Sequence, residues 1–173
     1  MFLDIDKPKV EELYKIAKRL VHIATNKGVS ICTAESCTGG LVGALITSIP
    51  GSSSMYTGGV IAYSNTIKEN LLSVCPDTIK NYGAVSSHTA EEMAFGIWKK
   101  QLNPSYAISV TGIAGPAGGT PDKPVGLVFS TLITSDGTAH TYKFNFTGNR
   151  EEIRFKTVSK VIEIVLEFLY KEE

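Results

Sequence analysis

Val29-Ser30-Ile31-Cys32-Thr33-Ala34-Glu35-Ser36-Cys37-Thr38-Gly39-Gly40 decides the fold class. Val29 to Ala34 is a short, β-branched, apolar run. It leads through a glycine pair into an apolar segment from about Thr38 to Ser48 with helical character. A strand that feeds a helix through glycine is the signature of an α/β sheet. Working outward, Val10, Leu13, Tyr14, Ala17, Leu20, Val21 and Ala24 recur at helical spacing before Gly28, which predicts an amphipathic first helix over 10–27. Beyond the loop Pro50 to Ser54, Gly59 to Tyr63 reads as a second buried strand, and Ser64 or Asn65 caps a short helix carrying Lys68.

Further on, Pro76 to Tyr82 is one or two helical turns. Ser87 is the expected N-cap of a helix from His88 to Leu102, with Ala90, Met93, Ala94, Ile97 and Trp98 on its core face. Tyr106 to Val110 is a third apolar strand and runs into the glycine-rich loop Thr111 to Gly119. Val125 to Thr134 and Thr138 to Phe146 form a hairpin about Ser135-Asp136-Gly137, because Asp-Gly supplies the positive φ of a tight turn. A helix from about Glu151 to Lys171 follows. This order predicts a three-layer α/β/α domain with a mixed, mostly parallel sheet of about five strands and one antiparallel member. No linker or repeat divides the chain, so a single domain is expected over 1–173, and Trp98 with the apolar strands suggests a homodimer.

Composition narrows the function. The chain has 173 residues, of which 43% are hydrophobic and 20% charged. That is enough apolar side chain for one core, burying roughly 70% of the unfolded surface. The 17 Lys and Arg balance the 17 Asp and Glu, which leaves no net charge to gather nucleic acid or anionic lipid. No apolar run approaches the ~20 residues of a spanning helix, and Asp4 and Asp6 stand where a signal peptide would be basic. Cys32, Cys37 and Cys75 form an odd set without zinc or disulfide spacing, and His22, His88 and His140 are far apart. A reducing, cytosolic setting without a metal site is expected.

Ligands in open α/β sheets bind beyond the carboxyl ends of the strands. Here those ends lead into Ala34 to Gly40, Tyr63 to Asn65 with Lys68, Thr111 to Gly119, and Phe146 to Arg150. Together they offer hydroxyls, a thiol, a lysine, an arginine and free amides, a set suited to an anionic ligand and to acyl transfer. Ser36, between a strand and a glycine turn, stands where a nucleophile elbow would be. No histidine lies nearby, so a buried Lys68 would be its base, with Tyr63 as a relay. Equally, Ser36 and Thr38 are N-cap types and Lys68 a surface charge, and Cys37 is a rival nucleophile. Arg150 either holds a phosphate or pairs with Glu151 or Glu152. The loop Thr111 to Gly119 lacks both the P-loop and the dinucleotide-fold spacing, which disfavours ATP hydrolysis.

Ala34-Glu35-Ser36-Cys37-Thr38-Gly39-Gly40, Tyr63-Ser64-Asn65-x-x-Lys68, Gly83-Ala84-Val85-Ser86, Thr111-Gly112-Ile113-Ala114-Gly115-Pro116-x-Gly118-Gly119, Lys123-Pro124-Val125-Gly126 and Phe146-x-Gly148-x-Arg150 are, in order, similar to the motifs of the CinA C-terminal domain family. The chain resembles that family over nearly its whole length, in its free-standing form without the nucleotide-pyrophosphatase-like domain. The resemblance implies a three-layer domain with a five-stranded mixed sheet. It also implies a nicotinamide-nucleotide amidohydrolase that converts nicotinamide mononucleotide to nicotinate mononucleotide and ammonia in pyridine-nucleotide recycling, with no metal and no redox cofactor. It carries over Ser36 as nucleophile, Lys68 as base, Tyr63 as assistant, Ser53 as a supporting hydroxyl and Arg150 as phosphate ligand. Glu35, Thr38, Gly39, Gly40, Thr111, Gly112 and Gly115 complete the implied substrate site, the oxyanion being held by amides of either glycine loop. Two other readings stay open: a non-catalytic nucleotide-sensing module, and an amidase of another substrate.

Overall fold

The computed structural model describes residues 7–101 and 104–171. In chain order the elements are α1 (Lys7–Lys27), β1 (Ile31–Glu35), α2 (Leu41–Thr47), a 3-10 turn (Ser52–Ser54), β2 (Tyr56–Ile61), α3 (Asn65–Leu72), α4 (Pro76–Tyr82), α5 (Ser87–Lys100), β3 (Tyr106–Gly112), β4 (Leu127–Thr134), β5 (Ala139–Asn145) and α6 (Arg150–Lys171). The strands lie in the order β2-β1-β3-β4-β5. β1 pairs in parallel with both β2 and β3, whereas β4 is antiparallel to both β3 and β5. β4 is thus the antiparallel member of a mixed sheet, as expected.

Helices cover both faces of the sheet. Leu20, Ile46, Ile108 and Val165 belong to the core under α1, α2 and α6, while Leu72, Met93, Ile97 and Ile133 belong to the core under α3 and α5. The alternation along β3 sends Ile108 to one face and Ala107 to the other. Trp98 is half-buried, packs edge-to-face on Phe95 and donates its indole N–H to the Pro104 carbonyl at 3.2 Å, so its ring is used within the chain. Among the described residues no helix is long and apolar enough to cross a membrane.

Several boundaries differ from the sequence expectation, each for a local reason. α2 begins at Leu41 rather than Thr38, because Gly39 and Gly40 take φ of +62° and +89°, outside the helical region. β2 starts at Tyr56 because Ile31 of β1 pairs with it, and it ends before Tyr63. Ser64, not Asn65, caps α3, its hydroxyl accepting from Ile67 N at 3.2 Å. Ser86, not Ser87, caps α5, accepting from Thr89 N at 3.1 Å. Leu102, the expected end of α5, lies outside the described residues, as do Asp4 and Asp6.

α3 and α5 cross where Gly96 faces the Leu72 backbone, with a Cβ at Gly96 falling 2.9 Å from the Leu72 Cα. Glycine lets the helices approach, so that Lys68 on α3 reaches the end of β1. Gly96→Ala is expected to destabilise the fold by about 1–3 kcal/mol through overpacking. Urea denaturation checks this, and an unchanged midpoint would show that the helices separate without strain.

Candidate active site

The parallel strands β1, β2 and β3 end on one side of the sheet, and Ser36 is the first residue beyond β1. Its amide donates to the Val110 carbonyl of β3 at 2.9 Å. Neighbouring residues of an extended chain face opposite sides, so Ser36 turns toward α3 and Glu35 toward α2. Ser36 is buried, with 8% of its surface exposed.

Lys68 comes from the first turns of α3 and is 1% exposed. Its Nζ lies 3.0 Å from Ser36 Oγ, 2.7 Å from the Ala62 carbonyl oxygen and 3.5 Å from that of Tyr63. Among the described residues no carboxylate contacts the amine. Burial pushes its pKa below the usual lysine value, since removing water disfavours the charged form. Lys68 is therefore not the solvated surface charge of the alternative reading.

Cys37, 7% exposed, adjoins this pair. Burial, reinforced by the nearby Glu35 carboxylate, pushes its thiol up to about 12. The thiolate is the reactive form, so at neutral pH Ser36 is the better prepared of the two.

The turn between β1 and α2 is held from beneath. Glu35, 2% exposed, accepts from Val42 N at 3.1 Å and Gly43 N at 2.8 Å, capping a helix whose own N-cap, Gly40, has no side chain. The strand alternation sends its carboxylate into the helix end, away from the side of the turn that Ser36 faces. On the other flank, Arg154 Nη2 of α6 donates to the Thr38 carbonyl at 2.8 Å. The Thr38 hydroxyl is buried with no hydrogen-bond partner among the described residues. Gly39 N is committed to the Ser36 carbonyl at 3.0 Å, and a Cβ at Gly40 would lie 2.8 Å from Ile61 Cδ1. The amides of Cys37 and Thr38 are left without a backbone acceptor among the described residues.

Ser36, Lys68, Tyr63, Thr111, Gly112 and Arg150 line one cavity of about 190 Å³, together with Cys37, Asn65, Ala84, Val85 and Ala114. Arg150, at the start of α6, donates from Nη1 to the Gly115 carbonyl at 2.8 Å and from Nη2 to the Tyr63 hydroxyl at 3.0 Å. It therefore bridges the cavity mouth rather than pairing with Glu151 or Glu152. Glu152 instead forms a reciprocal cap with Asn149, Asn149 N donating to Oε2 and Glu152 N to Asn149 Oδ1, both at 3.0 Å. Tyr63 is 61% exposed and its phenol meets Arg150, not Lys68 or Ser36, so no proton path through it is formed here. A second cavity of about 630 Å³ shares Ala114 and Arg150 with the first and continues past Gly148 and Asn149.

Ser53 lies apart from this cluster. It sits in the 3-10 turn before β2, at the amino ends of the parallel strands, while Ser36 sits at their carboxyl ends. Sequence reasoning missed Glu35 as a cap, Arg154, and any role for Ala84 and Val85. The Gly83 to Ser86 motif was the visible signal for the last two.

Removing the Glu35 carboxylate leaves helix amides without an acceptor. Glu35→Ala is expected to destabilise the chain by about 1–3 kcal/mol, read as a lower urea midpoint, with Glu35→Gln recovering part of the loss.

The comparisons with known proteins agree with this architecture. The family model described as the CinA C-terminal domain matches residues 13–169. A CinA-like protein of Endomicrobium trichonymphae is 46% identical over 155 residues, covering 90% of this chain and 35% of that protein. A CinA-like protein of Thermotoga maritima is 39% identical over 155 residues, covering 90% of this chain and 37% of that protein. The chain thus spans little more than a third of the length of these curated relatives. Among solved structures, the competence/damage inducible protein CihA from Agrobacterium tumefaciens superposes with a TM-score of 0.87 at 37% identity, covering 90% of this chain and 94% of that one. A CinA superfamily protein from Klebsiella pneumoniae gives 0.87 at 30% identity, over 92% of this chain and 98% of that one. A sheet of this order, with a lysine reaching a serine at the end of β1, is carried by a chain that belongs to the CinA C-terminal domain family.

Proposed function

We propose that this chain is a serine-lysine amidohydrolase that converts nicotinamide mononucleotide to nicotinate mononucleotide and ammonia in a reducing, cytosolic setting. The observation that carries the reading is the buried Lys68 Nζ, 3.0 Å from Ser36 Oγ and with carbonyl oxygens as its other partners. A neutral amine directs its two N–H bonds to the Ala62 and Tyr63 carbonyls and its lone pair to the serine proton. Ser36 Oγ then attacks the carboxamide carbon and its proton passes to Lys68. Lys68 returns the proton to the amide nitrogen, which leaves as ammonia, and a serine ester remains. Water, deprotonated by the same amine, attacks the ester, and the carboxylate leaves as Ser36 recovers its proton.

The amide after a serine nucleophile commonly stabilises the oxyanion, and Cys37 N has no backbone acceptor among the described residues. One such donor contributes about 3–4 kcal/mol to the transition state. The guanidinium of Arg150, at the junction of the two cavities, suits the phosphate of a mononucleotide whose acyl group enters the Ser36 cavity. The cationic pyridinium ring withdraws electrons from the carboxamide and makes it the easier amide to attack.

The test is ammonia release from nicotinamide mononucleotide by the purified chain in the presence of a chelator, with the second product identified chromatographically. Equal amounts of ammonia and nicotinate mononucleotide are expected. Tight binding of the nucleotide without turnover would overturn the reading in favour of a sensing module.

A further inference from the structure

The backbone from Tyr82 to Val85 has every carbonyl occupied by a side chain of the protein. Lys123 Nζ donates to the Tyr82 carbonyl at 2.6 Å and to the Val85 carbonyl at 2.8 Å. The Gly83 carbonyl accepts from Ser86 Oγ at 3.1 Å and Thr89 Oγ1 at 2.8 Å, and the Ala84 carbonyl from Thr111 Oγ1 at 2.7 Å. A trans peptide points its N–H opposite its C=O. With the carbonyls of Gly83 and Ala84 tied down to the protein, the amides of Ala84 and Val85 are directed away from those partners. Neither amide has an acceptor among the described residues, and both residues line the Ser36 cavity. A backbone donor left unpaired at a partly buried position is costly unless something else satisfies it.

We propose that Ala84 N–H and Val85 N–H form a second donor wall of the Ser36 cavity, which binds the acyl oxygen of the substrate, and that Lys123 is the positioning residue that holds this wall. The inference rests on the acyl-transfer reading of Ser36. It completes the arrangement in which one oxyanion donor follows the nucleophile and another comes from a separate loop. It also gives two otherwise idle motifs a joint purpose. Lys123 reaches back from the long loop after β3 and clamps the Gly83 to Ser86 segment. Gly83 takes a φ of +81°, a conformation that favours glycine, and a Cβ there would lie 2.9 Å from Lys123 Nζ. The cation faces carbonyl oxygens, which a methionine at that position could not engage.

Two measurements test this. The first compares steady-state ammonia release from nicotinamide mononucleotide by the native chain, Lys123→Met and Lys123→Arg. A donor wall that acts in the transition state predicts kcat lower by about tenfold or more in Lys123→Met, toward the 100-fold that one lost oxyanion donor costs, with KM within about twofold. Lys123→Arg, which still offers donors to both carbonyls, should recover most of kcat. The second uses the native chain and 3-pyridylboronic acid, whose boron takes up the serine oxygen to give a tetrahedral adduct. The amide proton resonances of Ala84 and Val85 are expected to move downfield on adduct formation and to stay in place in Ser36→Ala. A Lys123→Met chain with native kcat, or a native chain whose Ala84 and Val85 resonances do not respond to saturating boronate, overturns the proposal. If the native chain releases no ammonia, the amidohydrolase reading fails by itself, and the boronate measurement still decides whether these amides face an oxygen bound at Ser36.

Discussion

Ser36→Ala is expected to lower ammonia release from nicotinamide mononucleotide by about 10⁴-fold or more, the scale on which removal of a serine nucleophile acts, while nucleotide binding stays within a few-fold of native. The change removes one oxygen at a position that is 8% exposed, and Lys68 keeps its carbonyl partners at Ala62 and Tyr63, so the fold should tolerate it. The rival nucleophile is one residue away. Cys37 holds its thiol up at about 12 through burial and has almost no thiolate at neutral pH. Cys37→Ala is therefore expected to retain most activity. Rates measured beside isothermal titration of the nucleotide check both statements. Full activity in Ser36→Ala with loss in Cys37→Ala would invert the assignment.

Lys68→Met should separate activity from stability. Turnover is expected to fall by about 10³-fold or more, since a triad-type site loses most of its advantage when its base is removed. Stability should hold or rise, because a buried amine without a carboxylate partner is replaced by an apolar chain of similar length. Titration of the native chain gives the matching signature. The pKa of Lys68 lies below its ordinary value through burial. Between the folded and the unfolded pKa the unfolded chain binds more protons, so stability rises with pH across that window and the Lys68 contribution levels off above the unfolded value. The base acts when neutral, so kcat/KM should rise with pH through the folded pKa and then plateau. Lys68→Met should lose the pH-dependent gain in stability as well as the rate. A Lys68→Met chain that keeps native turnover would remove lysine from the mechanism.

The strand-to-helix stretch from Val29 to Gly40 was legible because its signals are local. A β-branched apolar run, a glycine pair and an apolar helix each have a short-range physical cause, and their alternation along the chain implies a covered, mostly parallel sheet. The antiparallel β4 was legible for the same reason, through Ser135-Asp136-Gly137. The candidate site was legible only as a set of loops at strand ends. Helix starts were misplaced by a residue or more wherever adjacent residues competed for the cap, as at Ser86 and Ser87, because cap choice depends on which hydroxyl meets a free amide after packing.

What the sequence determined by itself was the α/β class, the five-stranded mixed sheet and the set of side chains gathered beyond its strand ends, because periodicity and turn chemistry act within a few residues. What only the tertiary structure decided was how those side chains divide the work. The alternation of β1 sent Glu35 beneath the turn and Ser36 into the cavity. The strand direction of β2 carried Ser53 to the far end of the sheet. Gly96 let α3 sink until Lys68 lost its water and met Ser36, and Lys123 crossed from a distant loop to hold Val85. Each of these depends on which residues, remote in the chain, come within 3–4 Å of one another, and burial and hydrogen bonding are set at that distance.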